Sequence, residues 1–277
     1  MAKAPARHAD GHRHIGVMPA FPFYGGPPVN PDVKARGTID ELLADMDAEG
    51  TERALVIPNY GVPDPSHSFS FNELVVEAAA RDDRLRAALW ASPRPQDAEL
   101  TDKALALVGE NGVKALKISF LLGGSVEDPE CQVQLDKIFA AAKANNLVVH
   151  VHTSPGAQSD IDKVGQLVDK YGDEVPVHLV HFGGGVSGHI KLIGKRFFDW
   201  IEAGKKVYTD LTWSVGFAPY WLAQEIERRG IGGDRVLFAS DLPWGDFAGE
   251  YHRMIEAVGD GELANLVFNE NFDRLYG

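Results

Sequence analysis

The chain alternates short apolar runs with longer amphipathic ones. The apolar runs cover residues 51–59, 85–93, 112–120, 147–154, 175–184, 206–214 and 235–243, and the segment ADGHRHIG at residues 9–16 precedes them. Each run is followed by a helix-like stretch. Continuous apolar strands separated by helices indicate a parallel sheet, and eight such units in about 250 residues are typical of a (β/α)8 barrel. The alternative is an open doubly wound sheet. It is disfavoured because no G-x-G-x-x-G follows the first strand and the sequence contains no phosphate-binding P-loop.

The first helix is delimited by its own sequence. Thr38 and Glu41 have the spacing of a capping box, and Gly50 is a typical C-terminal stop. A Pro- and Gly-rich loop precedes this helix. Nothing in the sequence divides the chain, so we predict one domain over residues 1–277 and a distorted α/β (β/α)8 TIM barrel.

The composition narrows the classes of partner. The chain has 277 residues, of which 44% are hydrophobic and 24% charged, and a net charge of −13. An acidic balance argues against nucleic acid or an anionic membrane, because either needs a basic face. One cysteine, Cys131, excludes an internal disulfide and a Cys-rich zinc site. With no signal-peptide-like start or membrane-length apolar run, we expect a cytoplasmic protein with a small-molecule substrate and leave a homodimer open.

The opening segment places polar side chains at alternate positions. In a regular strand Asp10, His12 and His14 share one face, which suits metal ligation, although a solvent-facing loop is the commoner explanation for an isolated H-x-H. The barrel favours ligation, because side chains at the C-terminal ends of its strands meet at one rim. The candidate residues at that rim are His12, His14, His152, His181 and Asp241.

Alternation along the strands separates further candidates. His150 lies one layer below His152, in the interior. His178 and His181 are three residues apart, so in a regular strand only one faces the barrel, and we predict that it is His181. Lys117 faces inward as a structural residue or as a ligand for a substrate carboxylate, whereas Arg13 faces outward towards a salt bridge under a helix.

Histidines and a carboxylate at one rim are ligands that zinc prefers, with one position left for water. Manganese, iron or cobalt accept the same set. Such a metal lowers the pKa of bound water, and an adjacent aspartate can accept its proton. Trp213 and Trp244 follow the last two strands and are candidates to line a substrate pocket.

The order of these segments resembles the amidohydrolase superfamily, in particular its amidohydrolase-related branch that includes aminocarboxymuconate-semialdehyde decarboxylase. DGHRHIG, VVHVHTS, VHFGGG, ASDLPWGD and NLVFNENFDRLYG are similar to its strand and closing-helix signatures. The resemblance implies a TIM barrel with one divalent metal, held by His12, His14, His152 and Asp241. It also implies that His181 assists the metal-bound water. In two-metal members a lysine on strand four is carboxylated, which is a less favoured alternative for Lys117.

Two reactions fit this resemblance. The first expectation is a hydrolase, in which metal-bound water attacks an amide or lactone carbonyl and Asp241 transfers the proton. The alternative is a non-oxidative decarboxylase of an unsaturated or aromatic acid, with Asp241 or His181 moving the proton. A metal-binding barrel without activity is disfavoured because every ligand position is filled.

Overall fold

A computed structural model of the protein describes residues 7–17, 37–59, 66–121 and 123–277. The predicted loop before the first helix lies mostly outside these residues. Eight strands form one sheet in the order β1 to β8, and every neighbouring pair is parallel. The strands are β1 His8–Ile15, β2 Thr51–Pro58, β3 Leu85–Trp90, β4 Val113–Ile118, β5 Val148–His152, β6 Val177–Val180, β7 Val207–Asp210 and β8 Val236–Leu237.

Helices follow the strands around the outside of the sheet. They are α1 Ile39–Glu49, α2 Ser66–Phe69, α3 Asn72–Arg81, α4 Ala98–Leu105, α5 Pro129–Ala144, α6 Ile161–Tyr171, α7 Gly185–Lys191, α8 Phe197–Glu202, α9 Ala218–Arg229, α10 Phe247–Val258, α11 Glu262–Asn265 and α12 Asn271–Tyr276. The predicted (β/α)8 barrel is confirmed. None of the described helices is long and apolar enough to cross a membrane.

Backbone hydrogen bonds join the last strand region to the first. Gly11 N donates to Phe238 O at 2.9 Å, and Asp241 N donates to His12 O at 2.8 Å. His14 N donates to Leu242 O at 2.7 Å. The sheet therefore closes into a barrel, and the closure places the segment after β8 directly beside β1.

The first helix has the predicted ends. The Thr38 side chain accepts a hydrogen bond from Glu41 N, the Glu41 carboxylate accepts one from Thr38 N, and Gly50 has φ of 76°. These bonds satisfy backbone groups that a helix terminus otherwise leaves unpaired. The capping prediction is confirmed, and it fixes where the chain turns into β2.

Two apolar layers hold the barrel. The larger fills the space between the sheet and the helices, with buried residues from nearly every element. The smaller contains Ala9, Ala115, Val148 and Leu237 from four strands, packed with Phe272 and Tyr276 of α12. The last helix therefore packs against residues of the barrel wall, and Tyr276 is fully buried there.

Candidate metal centre and substrate cavity

His12 and His14 lie on an irregular first strand. The register with β2 shifts between Asp10 and Arg13, as in a one-residue bulge. The Asp10 carboxylate accepts hydrogen bonds from Ser240 N at 2.9 Å and from Ser240 Oγ at 2.5 Å. The prediction that Asp10 shares a face with the two histidines is wrong, because strict alternation ends at the bulge.

His12, His14 and Asp241 form a compact triangle of ligand atoms. The two Nε2 atoms are 3.0 Å apart, and each lies 3.1 Å from Asp241 Oδ1. Ligands bound about 2.0–2.2 Å from one metal lie roughly 2.9–3.4 Å from each other. Asp241 Oδ1 is buried without a hydrogen-bond donor, while Oδ2 accepts the indole N–H of Trp213 at 2.6 Å. The three residues therefore fit a divalent metal.

A backbone carbonyl sets the tautomer of His14. Its Nδ1 lies 2.9 Å from Pro58 O, and a carbonyl can only accept, so Nδ1 carries the proton. In a neutral imidazole the other nitrogen, Nε2, then has a free lone pair. This is the usual arrangement of a histidine that binds a metal, because the second nitrogen orients the ring.

Burial sets the charges of this group. It lowers the pKa of His12 to about 3 and lowers that of His181. Burial alone would raise the pKa of Asp241, but the neighbouring His12, His14 and His181 outweigh it and hold the pKa below its usual range. At neutral pH, the neutral imidazole of His12 thus faces an ionised Asp241, and these are the protonation states that metal ligation requires.

One cavity of about 510 Å³ opens onto these atoms. All eight site residues predicted from the sequence line it: His12, His14, Lys117, His152, His181, Trp213, Asp241 and Trp244. His152 contacts His181 with ring centroids 4.9 Å apart, but it is not part of the compact group formed by His12, His14 and Asp241. Its role as a fourth ligand stays a prediction.

The two tryptophans use their N–H groups within the protein. Trp213 Nε1 donates to Asp241, and Trp244 Nε1 donates to Asn59 Oδ1 at 2.8 Å. Trp213 has φ of 57°, a left-handed conformation that costs a non-glycine residue about 1 kcal/mol or more. The two indole rings that line the cavity therefore already donate their N–H groups to other protein residues.

His178 and His181 both face the interior, so the prediction that only one does so is wrong. His178 lies within β6 and pairs in register with His150 of β5. His181 follows the end of β6 and has φ of 63°. Alternation applies only inside a regular strand, and the left-handed turn brings His181 to the rim. We call His12, His14, His181 and Asp241 the rim cluster.

A second set of polar side chains lies one layer lower. It contains Lys117, His150, His178 and Tyr276, which we call the floor cluster. Lys117 Nζ donates to His150 Nδ1 at 3.2 Å, and Tyr276 Oη lies 2.6 Å from His178 Nδ1. Burial lowers the pKa of Lys117 to about 8. The interior placement of His150 and the inward placement of Lys117 are confirmed.

Arg13 faces away from both clusters. Its guanidinium forms an ion pair with Glu49, at the end of α1, and lies 3.4 Å from Asp10 Oδ2. The predicted outward salt bridge under a helix is confirmed. Arg13, although it lies between His12 and His14 in the sequence, thus places its charge in the barrel wall.

Asp210, at the end of β7, was missed by the sequence reasoning. It is fully buried, and its Oδ2 lies 3.1 Å from His178 Nε2 and 3.8 Å from His12 Nδ1. The rule that selected Asp241, an acid at the C-terminal end of a strand, applies equally to Asp210 in VYTDLTWS. Asp210 contacts both clusters and connects the rim to the floor.

Comparison with known proteins gives the family. The amidohydrolase family model matches residues 9–277. The chain belongs to the amidohydrolase family. The predicted resemblance is confirmed, and this amidohydrolase is a metal-dependent enzyme of its superfamily. No curated protein matches the sequence.

Solved structures share the fold at low identity. IDCase of Metarhizium anisopliae is 16% identical, with a TM-score of 0.68 over 98% of this chain and 97% of that one. A dihydroxybenzoic acid decarboxylase of Polaromonas sp. JS666, with bound manganese and 2-nitroresorcinol, is 17% identical, with a TM-score of 0.67 over 98% and 96%. A putative 2-pyrone-4,6-dicarboxylic acid hydrolase of Pseudomonas putida is 14% identical, with a TM-score of 0.60 over 99% and 98%. These likenesses extend across the whole barrel.

Proposed function

We propose that this amidohydrolase catalyses the non-oxidative decarboxylation of a flat unsaturated or aromatic acid. The observation that carries the proposal is the pair of tryptophans in the cavity wall. Because both indole N–H groups are bonded within the protein, the rings offer apolar surface and faces for stacking. Aromatic faces favour a planar substrate.

The cavity also contains a cation for the acid group. Among the described residues that line it, Lys117 is the only lysine or arginine. Its ammonium group is buried, and its pKa of about 8 leaves most of it charged at neutral pH. A single buried cation favours a substrate with one carboxylate in the cavity.

Among the described residues that line the cavity, only Thr153 and Ser154 have hydroxyl groups for an amide or a sugar. The Thr153 hydroxyl donates to Val180 O and accepts from Gly183 N at 2.8 Å. Buried polar groups of a substrate need partners of this kind. Amide hydrolysis, part of the first expectation from the sequence, is therefore less well supported than a reaction on a flat acid.

His12, His14 and Asp241 would hold the metal, with His152 as the proposed fourth ligand. Zinc is the first expectation, and manganese suits the same atoms. Bound there, the metal would polarise an oxygen of the substrate. In decarboxylation the C–C bond to the carboxylate breaks, CO₂ leaves, and a proton takes its place on the ring carbon. Asp241 and His181 are the groups placed to accept that proton from water and pass it to the ring carbon.

Lactone hydrolysis is the second candidate. A flat unsaturated lactone would fit between the same indole rings, and Lys117 would bind a carboxylate on its ring. The fold-level likeness to the putative 2-pyrone-4,6-dicarboxylic acid hydrolase supports testing it. Asp241 would then accept a proton from the attacking water.

The two reactions differ in whether the substrate loses a carbon atom as CO₂. We would incubate the metal-loaded enzyme with 2,6-dihydroxybenzoate, related aryl acids and 2-pyrone-4,6-dicarboxylate, and measure CO₂ and ring opening in parallel. Decarboxylation releases one CO₂ per substrate and leaves the ring intact, whereas hydrolysis releases none and opens the ring. The Asp241→Asn variant is the control. Ring opening without CO₂ contradicts the proposal and establishes the second candidate.

A further inference from the structure

Thr212 lies between a buried carboxylate and the rim histidine. Its Oγ1 is 2.6 Å from Asp210 Oδ1 and 2.6 Å from His181 Nδ1. All three residues are at least 94% buried, since the most exposed, His181, is 6% exposed. The three side chains form a continuous hydrogen-bonded chain from the end of β7 to the turn after β6.

The direction of each bond follows from the donors available. Asp210 Oδ1 also accepts the backbone N–H groups of His181 at 3.2 Å and of Thr212 at 3.1 Å. An oxygen surrounded by donors acts as an ionised acceptor. The single hydroxyl proton of Thr212 therefore goes to Asp210. Its oxygen must accept from His181, so the proton of that imidazole is on Nδ1.

We propose that Thr212 is a positioning residue that fixes His181 with its proton on Nδ1, so that Nε2 faces the cavity as an acceptor. The inference rests on the proposed function for its kinetic consequence and on the geometry alone for the tautomer. His181 Nε2 lies 3.9 Å from Asp241 Oδ2. A proton donor on the substrate or on water would meet two acceptors at this point.

The hydrogen-bonded chain from Asp210 to His181 is fixed at its Asp210 end by His178 of the floor cluster. Asp210 Oδ2 is bound to His178 Nε2 at 3.1 Å, and this carboxylate also ties the backbone at His181 through Oδ1. His181 has a left-handed φ of 63°, so its direction depends on such external bonds. Thr212 adds what the backbone bonds do not supply, which is a choice between the two imidazole nitrogens.

The test compares Thr212→Val, which keeps the shape but removes the hydroxyl, with Thr212→Ser, which keeps the hydroxyl. Thr209→Val is the matched control, because Thr209 lies in β7, three residues before Thr212, and its hydroxyl donates to Leu179 O at 2.7 Å and not to the His181 imidazole. The imidazole nitrogens of the zinc-loaded proteins are observed by ¹⁵N nuclear magnetic resonance, with the His181 signals assigned from His181→Ala.

We expect a protonated Nδ1 and a bare Nε2 at His181 in the wild type, in Thr212→Ser and in Thr209→Val. Thr212→Val should show a mixture of tautomers. With the acid that the wild type decarboxylates, kcat should fall about 10- to 100-fold in Thr212→Val with KM within about threefold, and Thr212→Ser should restore it. The kcat of Thr209→Val should stay within about threefold of the wild type.

Three results overturn the inference. The first is a protonated Nε2 in the wild type, and the second is a Thr212→Val spectrum identical to that of the wild type. The third is an unchanged kcat in a Thr212→Val protein whose tautomer has changed. The spectra need no turnover, so they decide the tautomer even where the proposed reaction fails.

Discussion

The rim and floor clusters both contain buried histidines, and these histidines differ in their partners. In the rim cluster, two imidazole nitrogens face a carboxylate oxygen that has no hydrogen-bond donor. In the floor cluster, Lys117 and Tyr276 each bond a histidine. All four rim residues line the cavity, whereas Lys117 is the one floor residue that reaches it. Residue type alone therefore does not mark a reactive site. A carboxylate oxygen without a donor beside two imidazole nitrogens, with access to substrate, does.

The largest effect should follow Asp241→Asn, which removes a ligand charge and a proton acceptor at once. We expect kcat to fall about 10²–10⁴-fold or more, because a lost acid–base group alone has that size. Steady-state assays check this, with circular dichroism to confirm the fold. A variant that keeps more than a few per cent of kcat would falsify the proton-transfer role.

The second-largest effect concerns metal binding, which we expect at the rim cluster and not at the floor cluster. Protein purified without chelator should contain about one equivalent of divalent metal per chain. His14→Asn should lose most of it, because Nε2 of His14 belongs to the triangle of ligand atoms. His178→Asn should keep it, since the His178 nitrogens are bonded to Asp210 and Tyr276. Elemental analysis of both variants decides. Metal loss in His178→Asn alone would move the site to the floor.

The third test concerns Glu250, a carboxyl group beside the rim cluster whose ionisation depends on pH. Glu250 of α10 accepts from Trp213 N at 3.1 Å and pairs with Arg253 at 2.6 Å. Burial raises its pKa from 4.5 to about 7. The folded protein then binds this proton more tightly than the unfolded chain does. The resulting stabilisation is complete below pH 4.5 and is lost as the pH rises through about 7.

Between pH 5 and 8, the free energy of unfolding should therefore fall by about 2 kcal/mol more in the wild type than in Glu250→Gln. Chemical denaturation at each pH measures it. Tyr276→Phe is the control from the floor cluster and should follow the wild-type profile, because burial raises the pKa of Tyr276 far above this range. Parallel curves for the wild type and Glu250→Gln would show that Glu250 does not titrate there.

The sequence predicted the elements that obey a regular period. The eight strands, the capped first helix and the rim positions of His12, His14 and Asp241 all follow from alternation or spacing. Alternation failed at Asp10, where a bulge breaks it, and between His178 and His181, where the left-handed backbone of His181 breaks it. Both interruptions lie where the chain bonds a residue far away in the sequence: Asp10 bonds Ser240, and His181 bonds Asp210. A local sequence pattern does not contain such contacts.

The smallest effect concerns the hydrogen bond between Tyr276 and His178. Asp210 can only accept, so His178 Nε2 carries the proton, and in a neutral imidazole Nδ1 accepts from the Tyr276 hydroxyl. Tyr276→Phe leaves that buried nitrogen without a donor. This costs about 1–2 kcal/mol of unfolding free energy, measured by urea denaturation, while kcat stays within about threefold because Tyr276 and His178 do not line the cavity.

The matched control is Tyr171→Phe, which removes a hydroxyl bond of the same length, 2.6 Å, to Asp136 at the surface. Water replaces that partner, so we expect a loss below about 0.5 kcal/mol. The difference between the two variants measures what burial adds to one hydrogen bond. If Tyr276→Phe instead lowered kcat and left stability unchanged, the floor would take part in the reaction and the division between the clusters would fail.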